Sequence, residues 1–154
     1  MIKVANFGGG VNSTAALLMT AEYDEILFAD TGEEWPETYA FIDYFEEKTG
    51  IKITRLKGPK GNIYDYYWKQ KAYPTPTMRD CTNKFKISVM RKYLRTKYGK
   101  KEKFERNIFI DYGEAHRMRD SDRKYEINRY PLVEAKIDRQ GCIDLITSKG
   151  LKPP

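Results

Sequence analysis

The stretch Ile2-Lys3-Val4-Ala5-Asn6-Phe7-Gly8-Gly9-Gly10-Val11-Asn12-Ser13-Thr14 decides how the rest of the chain is read. A short apolar run over 2–7 passes directly into three glycines. The glycines pass into Ala15-Ala16-Leu17-Leu18-Met19, whose apolar side chains suit a helix over 13–22 packed on a sheet. The pattern is strand, tight turn, helix. Three glycines let the backbone take positive φ and let a ligand approach the main chain closely. The first amides of the helix have no partner within it, and its dipole favours an anion there. Ser13 and Thr14 add hydroxyl donors, and Asn12 is a good N-cap residue.

Outward from this turn, strands and helices alternate. Strands are expected over 25–29, 51–56, 106–110 and, shorter, 126–130. Helices are expected over 36–49, 62–71, 83–97 and 138–148. Pro36 suits a first helical position, and Gly50 suits a stop. Pro74 and Pro76 enforce an extended loop. The alternation predicts a three-layer α/β/α domain with a mostly parallel sheet covered on both faces. Its 154 residues, with no repeat and no low-complexity linker, fit one domain over 1–154.

Composition narrows the class. Twelve Tyr, seven Phe and two Trp argue against disorder. No apolar run approaches the roughly 20 residues of a membrane span. The first residues are too short and polar for a signal peptide, and Cys81 and Cys142 make no disulfide framework, so a reducing, cytoplasmic setting is expected. The net charge of +6 suits an anionic ligand. Arg91, Lys92, Arg95, Lys97, Lys100, Lys101, Lys103 and Arg106 crowd one segment, either as a solvated face or as a surface for RNA or DNA phosphates. The aromatic run Tyr64, Tyr66, Tyr67 and Trp68 is either core or a stacking platform for a single strand.

Three phosphate motifs compete for the glycine turn. A Walker A loop needs a Lys before its Ser/Thr, and position 12 is Asn. A dinucleotide fingerprint is met at Gly8 and Gly10 but not at Ser13, although Asp30 stands at about the right spacing for a ribose contact. A tight turn with no ligand is the bland alternative. The third motif is the pyrophosphate-binding loop Ser-Gly-Gly-x-Asp-Ser, which Gly8-Gly9-Gly10-Val11-Asn12-Ser13 resembles with Gly8 for the first Ser and Asn12 for the Asp. Replacing that Asp removes a charge whose repulsion from phosphate at about 4 Å would reach ~4 kcal/mol. A neutral amide is also the weaker ligand for a hard cation.

Further segments carry the same resemblance. Phe28-Ala29-Asp30-Thr31-Gly32-Glu33-Glu34-Trp35-Pro36-Glu37-Thr38 is similar to the segment after the second strand in the phosphoadenosine phosphosulfate (PAPS) reductase-like family. Arg79-Asp80-Cys81-Thr82-Asn83-Lys84-Phe85-Lys86 resembles its Cys-Thr and helix-opening Lys. Asp111-Tyr112-Gly113-Glu114-Ala115-His116-Arg117 resembles its acidic run with a following Arg, and Tyr130-Pro131-Leu132-Val133-Glu134 its closing pattern. The resemblance implies an adenine nucleotide alpha-hydrolase-like fold with five strands in order 3-2-1-4-5.

It also implies a nucleotide site and a reaction. ATP or a related adenylyl nucleotide would contact Phe7, Gly8, Gly9, Gly10, Asn12, Ser13, Thr14, Ala29, Asp30, Thr31, Gly32, Glu34 and Glu114, with Mg²⁺ bridging its phosphates and Asp30 and Glu34 assisting. Lys86, Arg79 and Arg117 would be the cations, with Glu114 orienting Arg117 and Cys81 a candidate thiol. His116 reads as a surface residue. The implied chemistry is attack at the α-phosphorus to adenylate a substrate in sulfur or nucleobase chemistry. Sulfonucleotide reduction and a nucleotide-binding module without turnover are the alternatives, and an oligomer is compatible with either. Members of the family often continue past the final Pro-Pro into a Cys-x-x-Cys segment. With Cys81 and Cys142 alone, a four-thiolate site cannot be completed within one chain, and no C-terminal cysteine is present to attack sulfur.

Overall fold

The computed structural model describes residues 1–32, 34–57 and 79–154, with side chains from residue 85 onward in the last stretch. The helix expected over 62–71, its aromatic run and the Pro74–Pro76 loop lie outside the described residues.

Strand β1 (Ile2–Asn6) leads into helix α1 (Val11–Met19), then β2 (Glu25–Asp30), α2 (Pro36–Thr49) and β3 (Thr54–Lys57). After the undescribed stretch come α3 (Arg79–Tyr98), β4 (Phe104–Asn107), a 3-10 segment (Tyr112–Arg117), β5 (Glu126–Arg129), the short α4 (Pro131–Glu134) and α5 (Arg139–Ser148). The strands form one parallel sheet in the order β3-β2-β1-β4-β5. The strand order and the layering are those expected.

The alternation of side chains along each strand sorts the core into two halves. Ala5, Phe7, Ile26 and Phe28 face α1, α2 and α5, where they meet Ala15, Leu17, Ile42, Phe45, Cys142 and Ile146. Val4, Leu27, Ala29 and Phe104 face α3 and pack with Val89, Met90 and Leu94. Every residue of β2 is buried, as a strand covered on both faces requires. Its first residue, Glu25, is buried as a carboxylate that accepts from Lys97, Tyr93 and Tyr98 on α3.

The element boundaries depart from the sequence reading in places with a physical cause. Helix α1 starts at Val11 because extended Gly10 (φ −97°, ψ −176°) is its N-cap, and no side chain caps it. Asn12, expected as the cap, lies inside the first turn, and its amide bonds elsewhere. Strand β4 begins at Phe104 because its pairing with β1 starts at Ile2–Phe104. The second helix matches the expected span, closed by Gly50 in the left-handed region at φ +72°.

Candidate functional site

The strand order reverses between β1 and β4. In open α/β sheets the crevice for a ligand opens at this point, at the carboxyl ends of the strands. The glycine turn follows β1 there. Gly9 has φ +77°, and a Cβ on it would stand 3.0 Å from the Thr38 methyl, so both conformation and space call for glycine. A Cβ at Gly8 or Gly10 would meet nothing within 4 Å, so the main chain at those positions is open to approach.

The turn is held by its own polar groups. The Gly8 amide donates to Ser13 Oγ at 3.3 Å, and the Thr14 hydroxyl donates to the Gly10 carbonyl at 2.7 Å. Among the described residues, the first helical amide with a partner is that of Thr14, to Gly10 at 3.1 Å. Among the described residues the amides of Val11, Asn12 and Ser13 have no partner, and no acidic residue stands in this first turn.

Two clefts flank the turn and share Asn6, Gly8, Ile108 and Ile110 as walls. The larger, of about 630 Å³, lies beneath α3 and is lined in part by Phe7, Ala29, Lys86 and Arg117. The smaller, of about 280 Å³, lies at the mouth of α1 and is lined in part by Gly10, Asn12, Ser13 and Arg139. The carboxamide oxygens of Asn6 and Asn12 are buried here with no hydrogen-bond partner among the described residues, which is uncommon for buried polar groups.

The remaining candidates are distributed around these clefts. Asp30 ends β2, and its Oδ1 accepts from the Gly32 amide at 2.7 Å and the Tyr39 hydroxyl at 2.6 Å, an Asx turn closed by a phenol. Burial, together with the Asp30 bond, pushes Tyr39 up to about 12. Glu34 accepts from Lys86 Nζ at 3.1 Å and from the Thr31 hydroxyl at 3.4 Å, which ties the loop after β2 to α3. Glu114 accepts from Arg117 at 2.9 Å. His116 is exposed. The side chains of Arg79 and Cys81, and all of Glu33, lie outside the described residues.

Several contacts at the site carry no local sequence signal. Asp111 is buried, and Asn12 Nδ2 donates to its Oδ2 at 3.2 Å across 99 positions. Behind the wall of the larger cleft that Arg91, Arg106 and Ser121 line, buried Glu126 accepts from Arg91 at 2.8 Å, Arg106 at 3.0 Å and Ser121 at 2.9 Å. Burial resists its ionisation, yet Arg91, Ser121 and Arg106 hold its carboxyl below the usual range. Burial lowers Arg106 from its ordinary value, with Glu126 opposing. In the basic segment, then, Arg91 and Arg106 are tied to Glu126, Lys97 to Glu25, and Arg95 lies over the Tyr125 ring at 4.1 Å. Cys142 is fully buried, and that burial, with Asp111 and Asp138 nearby, pushes its thiol up to about 11.

The fold and the sequence have counterparts. The family model of the phosphoadenosine phosphosulfate reductase domain matches residues 3–105. Two uncharacterized proteins of Methanocaldococcus jannaschii, MJ0973 and MJ0066, are each 31% identical, over 96 and 98 residues. The aligned parts cover 61% and 60% of this chain but 23% and 19% of those proteins, so the chain spans under a quarter of the length of these curated relatives. Among solved structures, a phosphoadenylyl-sulfate (PAPS) reductase from Candida auris, in a phosphate complex, superposes with a TM-score of 0.68 at 12% identity. It covers 99% of this chain and 75% of that one, a likeness of fold. Among the described residues no helix is long and apolar enough to cross a membrane. Because the matched region takes in more than half of the chain, with the glycine turn and the Asp30 segment inside it, the chain belongs to the phosphoadenosine phosphosulfate reductase domain family.

Proposed function

We propose that this chain binds ATP or a related adenylyl nucleotide across the two clefts and cleaves it at the α-phosphorus to adenylate a substrate. The observation that carries the reading is the uncapped mouth of α1, with three amides that have no partner among the described residues, at the edge where the strand order reverses. Family membership supports it, as does a structural neighbour described as a phosphate complex. The polyphosphate lies at the amides of Val11, Asn12 and Ser13, and the nucleoside extends past Gly8 towards Ala29 in the larger cleft.

A substrate oxygen attacks the α-phosphorus and loses its proton to solvent. The bond from the α-phosphorus to its bridging oxygen breaks, and pyrophosphate leaves. The protein supplies position and fixed charge. Lys86 and Arg117 stand in the larger cleft, paired with Glu34 and Glu114, and incoming phosphate oxygens compete with these carboxylates for them. Arg79 and Cys81 are assigned to the same site by sequence position. Mg²⁺ uses few protein ligands when phosphates supply the rest. Asp30 and Glu34 after β2, with Asp111 bonded to Asn12 at the turn, would hold it, and it would neutralise charge on the phosphates.

Cys142 is buried in the core and is not the thiol that sulfonucleotide reduction would use. The test is incubation with α-labelled ATP and candidate nucleobase or sulfur acceptors, alongside calorimetry with ATP. Labelled AMP or a labelled adduct together with pyrophosphate is expected. Heat of binding with no turnover for any acceptor would leave a binding module. No heat at millimolar ATP would overturn the reading.

A further inference from the structure

Arg139 is the first residue of α5, and it lines the smaller cleft together with Gly10, Asn12 and Ser13. Its position is fixed from both sides. Asp138 caps the helix by accepting from the Gly141 amide at 2.8 Å, while Cys142 and Ile146 anchor α5 in the core that α1 shares.

The other cations that line either cleft are already matched. Arg91 and Arg106 are tied to Glu126, Arg117 to Glu114, and Lys86 to Glu34. Arg119 donates to the carbonyls of His116 and Met118. Arg139 alone among them makes no ion pair or hydrogen bond with any described residue. An arginine is charged at every relevant pH, and its fork fits two oxygens of one phosphate. An unmatched guanidinium in the cleft that also holds three unmatched amides is poised for an anion that neither partner neutralises alone.

We propose that Arg139 is a binding residue for the leaving pyrophosphate end of the nucleotide. The inference rests on the nucleotide reading above and adds a consequence. Arg139 distinguishes nucleotides by chain length, because AMP places its single phosphate at the α position and leaves the clamp empty.

The experiment is calorimetry of the full chain with ATP and with AMP, for the unsubstituted protein, Arg139→Gln and Arg139→Lys. Arg139→Gln is expected to weaken ATP at least about tenfold, the usual scale for hydrogen bonds to a charged group, and to leave AMP unchanged. Arg139→Lys is expected to recover part of the ATP affinity, since the ammonium keeps the charge and loses the fork. The melting temperature should stay put in both, because Arg139 is exposed and unmatched. ATP affinity unchanged in Arg139→Gln overturns the assignment alone, as does equal weakening of ATP and AMP. An unsubstituted chain that binds neither nucleotide overturns the nucleotide reading, and this assignment with it.

Discussion

The mouth of α1 and the β4–β5 wall of the larger cleft treat charge in opposite ways. At the wall, the guanidiniums of Arg91 and Arg106 meet the Glu126 carboxylate, with Asp122 and Ser121 completing the set. At the mouth of α1, three amides and one guanidinium have no partner among the described residues, and the adjacent glycines leave the backbone open. Both places are rich in donors, but only one leaves them unsatisfied. A buried ion pair is a structural commitment, since removing one member strands the other in a low dielectric. An unmatched donor in a cleft is instead a capacity for a ligand. Counting cations along the chain points to the wall, whereas among the cations lining the two clefts Arg139 is the one without a partner among the described residues.

The comparison breaks most visibly at Glu126. Glu126→Ala strands Arg106, whose side chain is 5% exposed, and removes a partner of Arg91. A loss of about 3–5 kcal/mol in stability by denaturant titration is expected. A loss near zero would mean that the wall is not a structural commitment. The opposite signature is expected at the turn. Gly9→Val forces a β-branched residue to φ +77° with its Cβ 3.0 Å from Thr38. This should cost about 1–3 kcal/mol and remove nucleotide binding. Gly8→Ala, at a position with open space, should leave the fold stable, so any loss of affinity there reports on ligand approach rather than on folding.

The smallest effects are in pH dependence, and they have opposite signs. The folded value of Glu126 lies below its unfolded one, so its contribution is complete above the usual carboxylate range and is lost as pH falls through the depressed value. Cys142 is raised from 9.0 to about 11. Its contribution is complete below about pH 9 and is lost as pH rises towards 11, because the unfolded chain then releases a proton that the folded chain retains. Denaturation midpoints across pH should show both limbs. Cys142→Ser should flatten the alkaline one, and Glu126→Gln the acidic one.

The amino-acid sequence by itself determined the five strands, the longer described helices and their order. The run over 2–7, the three glycines and the apolar helix after them are local patterns, and local patterns follow from backbone sterics and side-chain periodicity. Pro36 and Gly50 bracket α2 for the same reason, and Asp30-Thr31-Gly32 marks the end of β2 through its own Asx turn. The segments that resemble the family lie in register with these elements. Only the tertiary structure decided which polar groups are spent and which remain available. Asn12 reads as a cap in sequence, but packing brings Asp111 to its amide. Arg106 reads as one of a basic cluster, but β5 pairs alongside it and delivers Glu126. Arg139 has no local mark at all, and it reaches the mouth of α1 because α5 packs there. These outcomes depend on partners tens of positions away, and electrostatic pairing is governed by distance in space, which no local spacing encodes.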